Sequence, residues 1–210
     1  MSDIKVLTLV GSLRAASVNR QIVELAAEKA PAGITVNVYQ GLGGGLGELP
    51  LYNEDIDNAA DLPASASTLR GAVAEADAIL VVTPEYNGSV PGGLKNAIDW
   101  LSRPYGQSAL SAKPLAVVGA SMGQYGGVWA HDETRKSFGI AGADVVDAPA
   151  FSLPIDALGG RKPAPYVLTL LAASTTPTSA TFSPTMTSTP PTNRPPPTRQ
   201  KPGILCHFSP

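Results

Sequence analysis

One stretch limits what this chain can become. The run Ala78-Ile79-Leu80-Val81-Val82 is apolar, unbroken and rich in β-branched side chains. It reads as a strand buried on both faces of a parallel sheet. It passes directly into Thr83-Pro84-Glu85-Tyr86-Asn87-Gly88-Ser89-Val90-Pro91-Gly92-Gly93-Leu94-Lys95-Asn96-Ala97-Ile98-Asp99-Trp100. Pro84 drives Thr83 towards extended geometry, and Asn87-Gly88 is a turn pair that tolerates positive φ. Ser89 and Pro91 stand where a helix cap and a first-turn residue would. Leu94, Ala97, Ile98 and Leu101 then recur at helical spacing. The pattern is strand, polar loop, helix, with the loop at the carboxyl end of a buried strand, where open α/β sheets bind ligands. A plain βα connection needs less than this loop carries. An aromatic ring, an amide, a carboxylate and several glycines together suit a flat polar ring system held by main-chain groups.

The rest of the chain repeats the unit. Strands are expected at 5–10, 35–39, 78–82, 115–118 and 143–146, with helices between them. The first helix carries Ile22, Leu25 and Ala26 and stops at Pro31-Ala32-Gly33. The next is expected to open with Asp61 as N-cap and Pro63 in its first turn, and a later one carries Trp129, His131 and Arg135. The order β-α-β-loop-α-β-α-β-α-β implies a doubly wound five-stranded parallel sheet, an α/β fold. The loops after strands one, three and four would then converge on one edge.

The first βα turn is dense in groups that match a phosphate. Ser12, Arg14, Ser17, Asn19 and Arg20 fall within ten positions, just before a helix whose N-terminal N–H groups attract anions. Gly11 is not followed by Gly-Lys-Ser/Thr, so this is no nucleotide P-loop, and Gly-x-Gly-x-x-Gly is absent too. The donors suggest a terminal phosphate, as on a mononucleotide. A capped helix with solvated arginines is the plainer alternative. The segment Gly41-Leu42-Gly43-Gly44-Gly45-Leu46-Gly47 follows the second strand without opening a helix and is expected to be a flexible loop. Glu54, Asp55 and Asp57 lack Ca²⁺-loop spacing and read as a solvated acidic loop.

Composition excludes several classes. With 210 residues, 43% hydrophobic and 15% charged, the chain can bury a real core. The net charge of −2 argues against a general nucleic-acid binder. Cys206 is the one cysteine, so no internal disulfide forms. The opening Met1-Ser2-Asp3-Ile4-Lys5 lacks a signal-peptide pattern and no apolar run reaches membrane-spanning length. A soluble cytoplasmic protein is expected.

Together, Gly11-Ser12-Leu13-Arg14-x-x-Ser17-x-Asn19, Pro84-Glu85-Tyr86-Asn87-Gly88-Ser89-x-Pro91-Gly92-x-Leu94-Lys95-Asn96-x-x-Asp99-Trp100 and Gly119-x-Ser121-x-Gly123 resemble the NADPH-dependent FMN reductase family, flavodoxin-like enzymes that include quinone, chromate and azo-dye reductases. The likeness spans about residues 4 to 158. It implies that Ser12, Arg14, Ser17 and Asn19 hold the FMN phosphate. It implies that Pro84, Glu85, Tyr86, Asn87 and Gly88 line the isoalloxazine ring, and that Ser121, with Gly123, Gln124 and Tyr125, closes the far side. Lys95 and Asp99 match the motif in structural roles. The implied reaction is a two-step hydride transfer: NADPH or NADH delivers the hydride, and a quinone, flavin or other small oxidant collects it. No catalytic acid or nucleophile is needed, because the cofactor carries the chemistry. Homodimers or homotetramers are expected, with the surface of the helix at 94–101 as a candidate interface.

Two other functions compete. A flavodoxin-like binding or electron-carrier module shares the fold, but Arg14 favours a reductase. A serine hydrolase would use Gly119-Ala120-Ser121-Met122-Gly123 as a nucleophile elbow, with Asp147 and His207 following in order. No His-Gly-Gly oxyanion loop is written in the chain.

Composition breaks after Gly159-Gly160. Residues 160–210 hold 11 of the 20 prolines, 10 of the threonines, five of the 15 basic residues and no acid. The expectation is a folded unit over 1–160 and a disordered Pro/Thr-rich tail over 161–210, with no last helix to cover one sheet face. A tail translated from a shifted reading frame would account for this. Each apolar side chain that such a helix fails to bury forfeits about 1.5–3 kcal/mol, so a weakly folding product is expected.

Overall fold

The computed structural model describes residues 3–146 and 151–155. The expected tail over 161–210, together with Asp147, Cys206 and His207, lies outside the described residues. The elements run β1 (Ile4–Val10), α1 (Val18–Glu28), β2 (Ile34–Val38), α2 (Ala64–Glu75), β3 (Ala78–Val82), α3 (Gly92–Leu101), β4 (Pro114–Ser121), α4 (Val128–Ile140), β5 (Asp144–Val145) and β6 (Phe151–Pro154). The strands form one parallel sheet in the order β2-β1-β3-β4-β5. The fifth position is shared. Both β5 and β6 pair with the outer edge of β4, the first at Pro114 and Leu115, the second from Val118 to Ser121. Between them the Val117 carbonyl accepts from Arg135 Nη2 at 2.9 Å, so a side chain fills the break in the ladder.

Period-two alternation sends each strand to both faces. Leu7, Leu9, Ile79, Val81, Leu115 and Val117 join α2, α3 and Phe138 in one cluster. Val10, Val82, Ala120 and Leu153 join Ile22, Val23 and Ala26 of α1 in the other. On that second face Leu80, Val118 and Phe151 are only half-buried. It is the face that the βα order leaves for a last helix.

Several expectations are corrected. Helix α2 starts at Ala64 with Pro63 in the cap position, while Asp61 stays in the preceding turn and accepts from Asn58. Strand β4 runs through Ser121 rather than stopping at 118, because β6, which the sequence pattern does not reveal, extends it. The glycine-rich segment is not loose. The Glu48 carboxylate accepts from the N–H groups of Leu42 and Gly44, and Leu46 is buried within a 3₁₀ turn over Gly45–Glu48. Nor is Asp57 a solvated acid. Arg70 grips it through two bonds of 2.7 and 2.8 Å, and that hydrogen-bonded guanidinium holds its carboxyl below the usual carboxylate range. The same Arg70 donates to the Trp100 carbonyl, and Trp100 Nε1 donates to Pro50 O at 2.8 Å. Asn96 accepts from Tyr52 N and donates to Pro50 O. Two residues of the sequence motif, Asn96 and Trp100, therefore serve to lock the 49–57 segment onto α3.

Candidate functional site

Strands β1 and β3 are neighbours, although β2 separates them in sequence, so the chain reverses its direction of winding between them. Ligands of doubly wound sheets sit at that switch point, outside the carboxyl ends of the strands. Two glycines make the close approach there. A Cβ on Gly11 would stand 2.2 Å from Thr83 Oγ1, and Gly11 N donates to Val82 O at 2.9 Å. The turn after β1 and the loop after β3 are thus in direct contact.

Residues 12–17 form the first wall. Ser17 caps α1, its hydroxyl accepting from Asn19 N at 3.2 Å. Ser12 is buried and Arg14 is exposed. The backbone N–H groups from Ser12 to Ala16 make no hydrogen bond to described residues, and the first turn of α1 carries no acid. Arg20 Nε is buried without a partner among the described residues. A turn whose N–H groups find no partner among the described residues, leading into a helix N-terminus and carrying Arg14, fits a phosphate. Asn19 is turned the other way. Its Nδ2 donates to Ala120 O at 2.9 Å, and its Oδ1 accepts from Ala120 N at 2.8 Å. Beyond the end of β3 the inner edge of β4 has no strand to pair with, and the Asn19 amide stands in for one.

The central loop forms the second wall. Asn87 (φ 54°) and Gly88 (φ 73°) occupy the two middle positions of a type I′ turn, closed by mutual hydrogen bonds between Tyr86 and Ser89 at 3.1 Å. Ser89 and Pro91 do not cap α3 as their order suggests: Pro91 takes the cap position without a side-chain bond, and the Ser89 hydroxyl donates to Glu133 of α4 at 2.7 Å. Glu133 also accepts from Val90 N at 3.4 Å. Glu85 supplies the cap that Gly127 cannot give α4, its Oε2 accepting from Ala130 N at 3.1 Å. Lys95 and Asp99 pair with each other at 2.6 Å on the outer side of α3.

Ser121, the last residue of β4, opens the third wall. Its hydroxyl spans the Glu85 main chain, accepting from N at 3.2 Å and donating to O at 3.1 Å. That use removes the serine from the role of a nucleophile. Both ring nitrogens of His131, the nearest histidine in sequence, are engaged elsewhere, with Thr83 O and Ser152 Oγ. Beyond Ser121, Gln124 and Tyr125 are exposed, and Gly123 adopts φ 90°. Around the rim Leu13, Tyr86, Met122, Tyr125 and Trp129 are each about half exposed or more. Five large apolar side chains held in water at one edge offer faces to a flat ring.

The site thus brings together Ser12, Arg14 and Ser17 with Pro84, Glu85, Tyr86, Asn87, Gly88 and Ser121, and sends Asn19 inward. The sequence pattern sets His131 on the last helix without pointing to a role for it, and it does not single out Glu133. The available signal was the reversed polarity of α4, whose buried face carries His131 and Thr134 while Trp129 faces water.

A phosphate-compatible turn and an exposed apolar rim at the switch point of a doubly wound parallel sheet suit a mononucleotide-binding α/β protein. The comparisons make the class specific. The model of the NADPH-dependent FMN reductase family matches residues 4–157, and the chain belongs to that family. It is therefore an oxidoreductase that works with FMN and NAD(P)H. A quinone reductase of Pseudomonas putida is 45% identical over 155 residues, 74% of this chain and 77% of that protein. A quinone reductase of Escherichia coli K12 is 39% identical over 148 residues, 70% and 76% respectively. Among solved structures, the flavoenzyme NAD(P)H:(acceptor) oxidoreductase FerB of Paracoccus denitrificans superimposes with a TM-score of 0.65 at 30% identity, over 81% of this chain and 96% of that one. Among the described residues no helix is long and apolar enough to cross a membrane, and no acid, histidine or cysteine cluster could hold a metal ion.

Proposed function

We propose that the chain passes hydride equivalents from NAD(P)H to a quinone. The phosphate of FMN would lie on the 12–17 turn and the ring along Pro84–Gly88. The observation that carries this assignment is the run of unpaired N–H groups from Ser12 to Ala16, set against the exposed rim of Tyr86, Met122, Tyr125 and Trp129. When bound, FMN supplies reversible hydride acceptance. The chain's own residues do the rest. Arg14 and the start of α1 would neutralise the phosphate, and Ser121 fixes the Glu85 main chain in the segment that would lie along the ring. The type I′ turn keeps Tyr86 beside it. A quinone acceptor is supported by relatives named quinone reductase and by a 2-hydroxy-1,4-benzoquinone reductase of a Burkholderia species, 42% identical over 132 residues.

A homodimer or homotetramer belongs to the same proposal. The α3 surface offers it little, since Leu94, Ala97, Ile98, Trp100 and Leu101 are buried and the outward stripe is Gly92, Lys95 and Asp99. Met122, Tyr125 and Trp129 give the better apolar patch. The cytoplasm, where nicotinamide dinucleotides are maintained, is the proposed place of work.

The test is the visible spectrum of the purified protein after FMN is added and the free flavin is removed by gel filtration. Retained flavin bands that NAD(P)H bleaches and benzoquinone restores are expected. A folded protein that keeps no flavin would sink the site assignment.

A further inference from the structure

The hydride chemistry has no use for an imidazole, yet His131 is wholly buried beside the ring loop. It stands one turn into α4, over Gly119 of β4, and reaches both strands that flank β4 there. Its Nε2 is 2.8 Å from the carbonyl of Thr83, the residue that follows β3 and begins the loop. Its Nδ1 is 2.6 Å from Ser152 Oγ on β6. A carbonyl only accepts, so Nε2 carries the proton, Nδ1 accepts, and the Ser152 hydroxyl donates.

Two glycines clear the way. A Cβ on Gly119 would lie 2.0 Å from Thr83 O and 2.7 Å from His131 Nε2, and one on Gly127 would lie 3.3 Å from the same nitrogen. The first glycine of Gly119-x-Ser121-x-Gly123, which a hydrolase would need for its elbow, is here the opening through which the imidazole reaches the loop.

We propose that His131 is a positioning residue for the flavin ring loop: its neutral Nε2–H tautomer fixes the Thr83 carbonyl against β6 and so sets the direction in which Pro84–Gly88 leaves the sheet. Residues 130 to 133 act as one fitting. Ala130 N holds the Glu85 carboxylate, His131 holds Thr83, and Glu133 holds Ser89. The inference rests on the site reading given above.

A pH dependence follows. Burial lowers the His131 pKa below its ordinary 6.5, partly opposed by the hydrogen bond to Thr83. The charged groups that face it are Glu85 on the loop and Arg135 and Asp132 on its own helix; β4 and β6 contribute no titratable side chain. Above 6.5 the folded and unfolded imidazoles are both neutral. As pH falls below that value the unfolded chain takes up the proton first, so stability declines until the folded imidazole protonates as well. Once protonated, Nδ1 becomes a donor and the Ser152 hydroxyl must turn from donor to acceptor.

The experiment compares the wild type with His131→Leu, His131→Gln and Ser152→Ala by two readouts. One is amide exchange over residues 84–90 in the flavin-free protein. The other is the FMN dissociation constant at about pH 7.5 and about pH 5.5, to either side of an ordinary histidine. In His131→Leu, exchange of the Tyr86 and Ser89 N–H groups should rise, and FMN should bind more weakly, each by about tenfold, the worth of one buried hydrogen bond. Exchange in β1 should not change. His131→Gln keeps an amide N–H near the Nε2 position and should recover most of the loss at pH 7.5. The weakening of FMN binding between the two pH values should shrink in His131→Gln. A folded His131→Leu protein with wild-type exchange over 84–90 and wild-type FMN affinity overturns the proposal, as does a loss spread equally over β1 and the loop. If His131→Leu does not fold, the other two variants decide: wild-type pH dependence in His131→Gln, with wild-type loop exchange in Ser152→Ala, overturns it. A wild-type protein that takes up no FMN refutes the site reading, and the exchange comparison then decides this proposal by itself.

Discussion

The two turns that frame the switch point are secured by different means. The turn after β1 is mostly its own support: Ser17 caps the helix that follows, and one long-range tie, Asn19 to Ala120, fixes that helix to the sheet. The loop after β3 supplies for itself a two-residue hairpin and a bond from Thr83 Oγ1 to Pro84 O at 3.0 Å. It is held from outside by Ser121 and by three groups on α4 that lie 43 to 48 positions away. The proposed phosphate end of the site is therefore held locally, while the proposed ring end borrows its shape from α4. Substitutions in α4 should alter the ring end and leave the phosphate end alone.

Gly119→Ala attacks the borrowed support most directly. Its Cβ would fall 2.0 Å from a backbone oxygen, so Thr83 must move. A loss of about 3 kcal/mol, at the upper end of overpacking costs, is expected in the urea midpoint, together with loss of flavin. A fully stable variant would show that the loop has room to shift. Asn19→Ala strips the tie at the other end and leaves a buried N–H and C=O of Ala120 unpaired. Some 2–3 kcal/mol of stability should go, because an unsatisfied buried backbone group costs about 1–3 kcal/mol. Arg14→Ala should leave the melting temperature alone and weaken FMN about tenfold, with riboflavin, which has no phosphate, unaffected. An equal loss for both flavins would mean that Arg14 does not meet the phosphate. The smallest effect belongs to Glu133→Ala. Its bonds to Ser89 and Val90 are exposed, so the cost should stay under about 1 kcal/mol, and the FMN dissociation constant should rise about twofold, with phosphate binding unchanged.

Much of this arrangement is legible in the sequence. The run at 78–82 reads as a buried strand, Asn87-Gly88 tolerates positive φ, and three loops are expected on one edge once the βα order is read. What stayed hidden depended on distant partners. Ser89 and Pro91 have the order of a helix start, but Glu133 claims the serine. Asn19 looks like a phosphate donor from its neighbours alone, and only the missing strand beside Ala120 shows why it turns inward. Asp57 reads as a surface acid until Arg70 arrives from α2. The short strand at Phe151–Pro154 is too brief, and too close to prolines, to show a period of two.

The break between β5 and β6 has a separate consequence. Val145 stands opposite Leu115 and Phe151 opposite Val118, so six positions of outer chain advance where β4 advances three. Each segment fixes its own register on β4, and Arg135 donates to the Val117 carbonyl between them. Length added between the two segments need not slide either ladder. The outer edge of β4 is thus bound in two separately registered pieces, while the ring loop depends on its opposite edge.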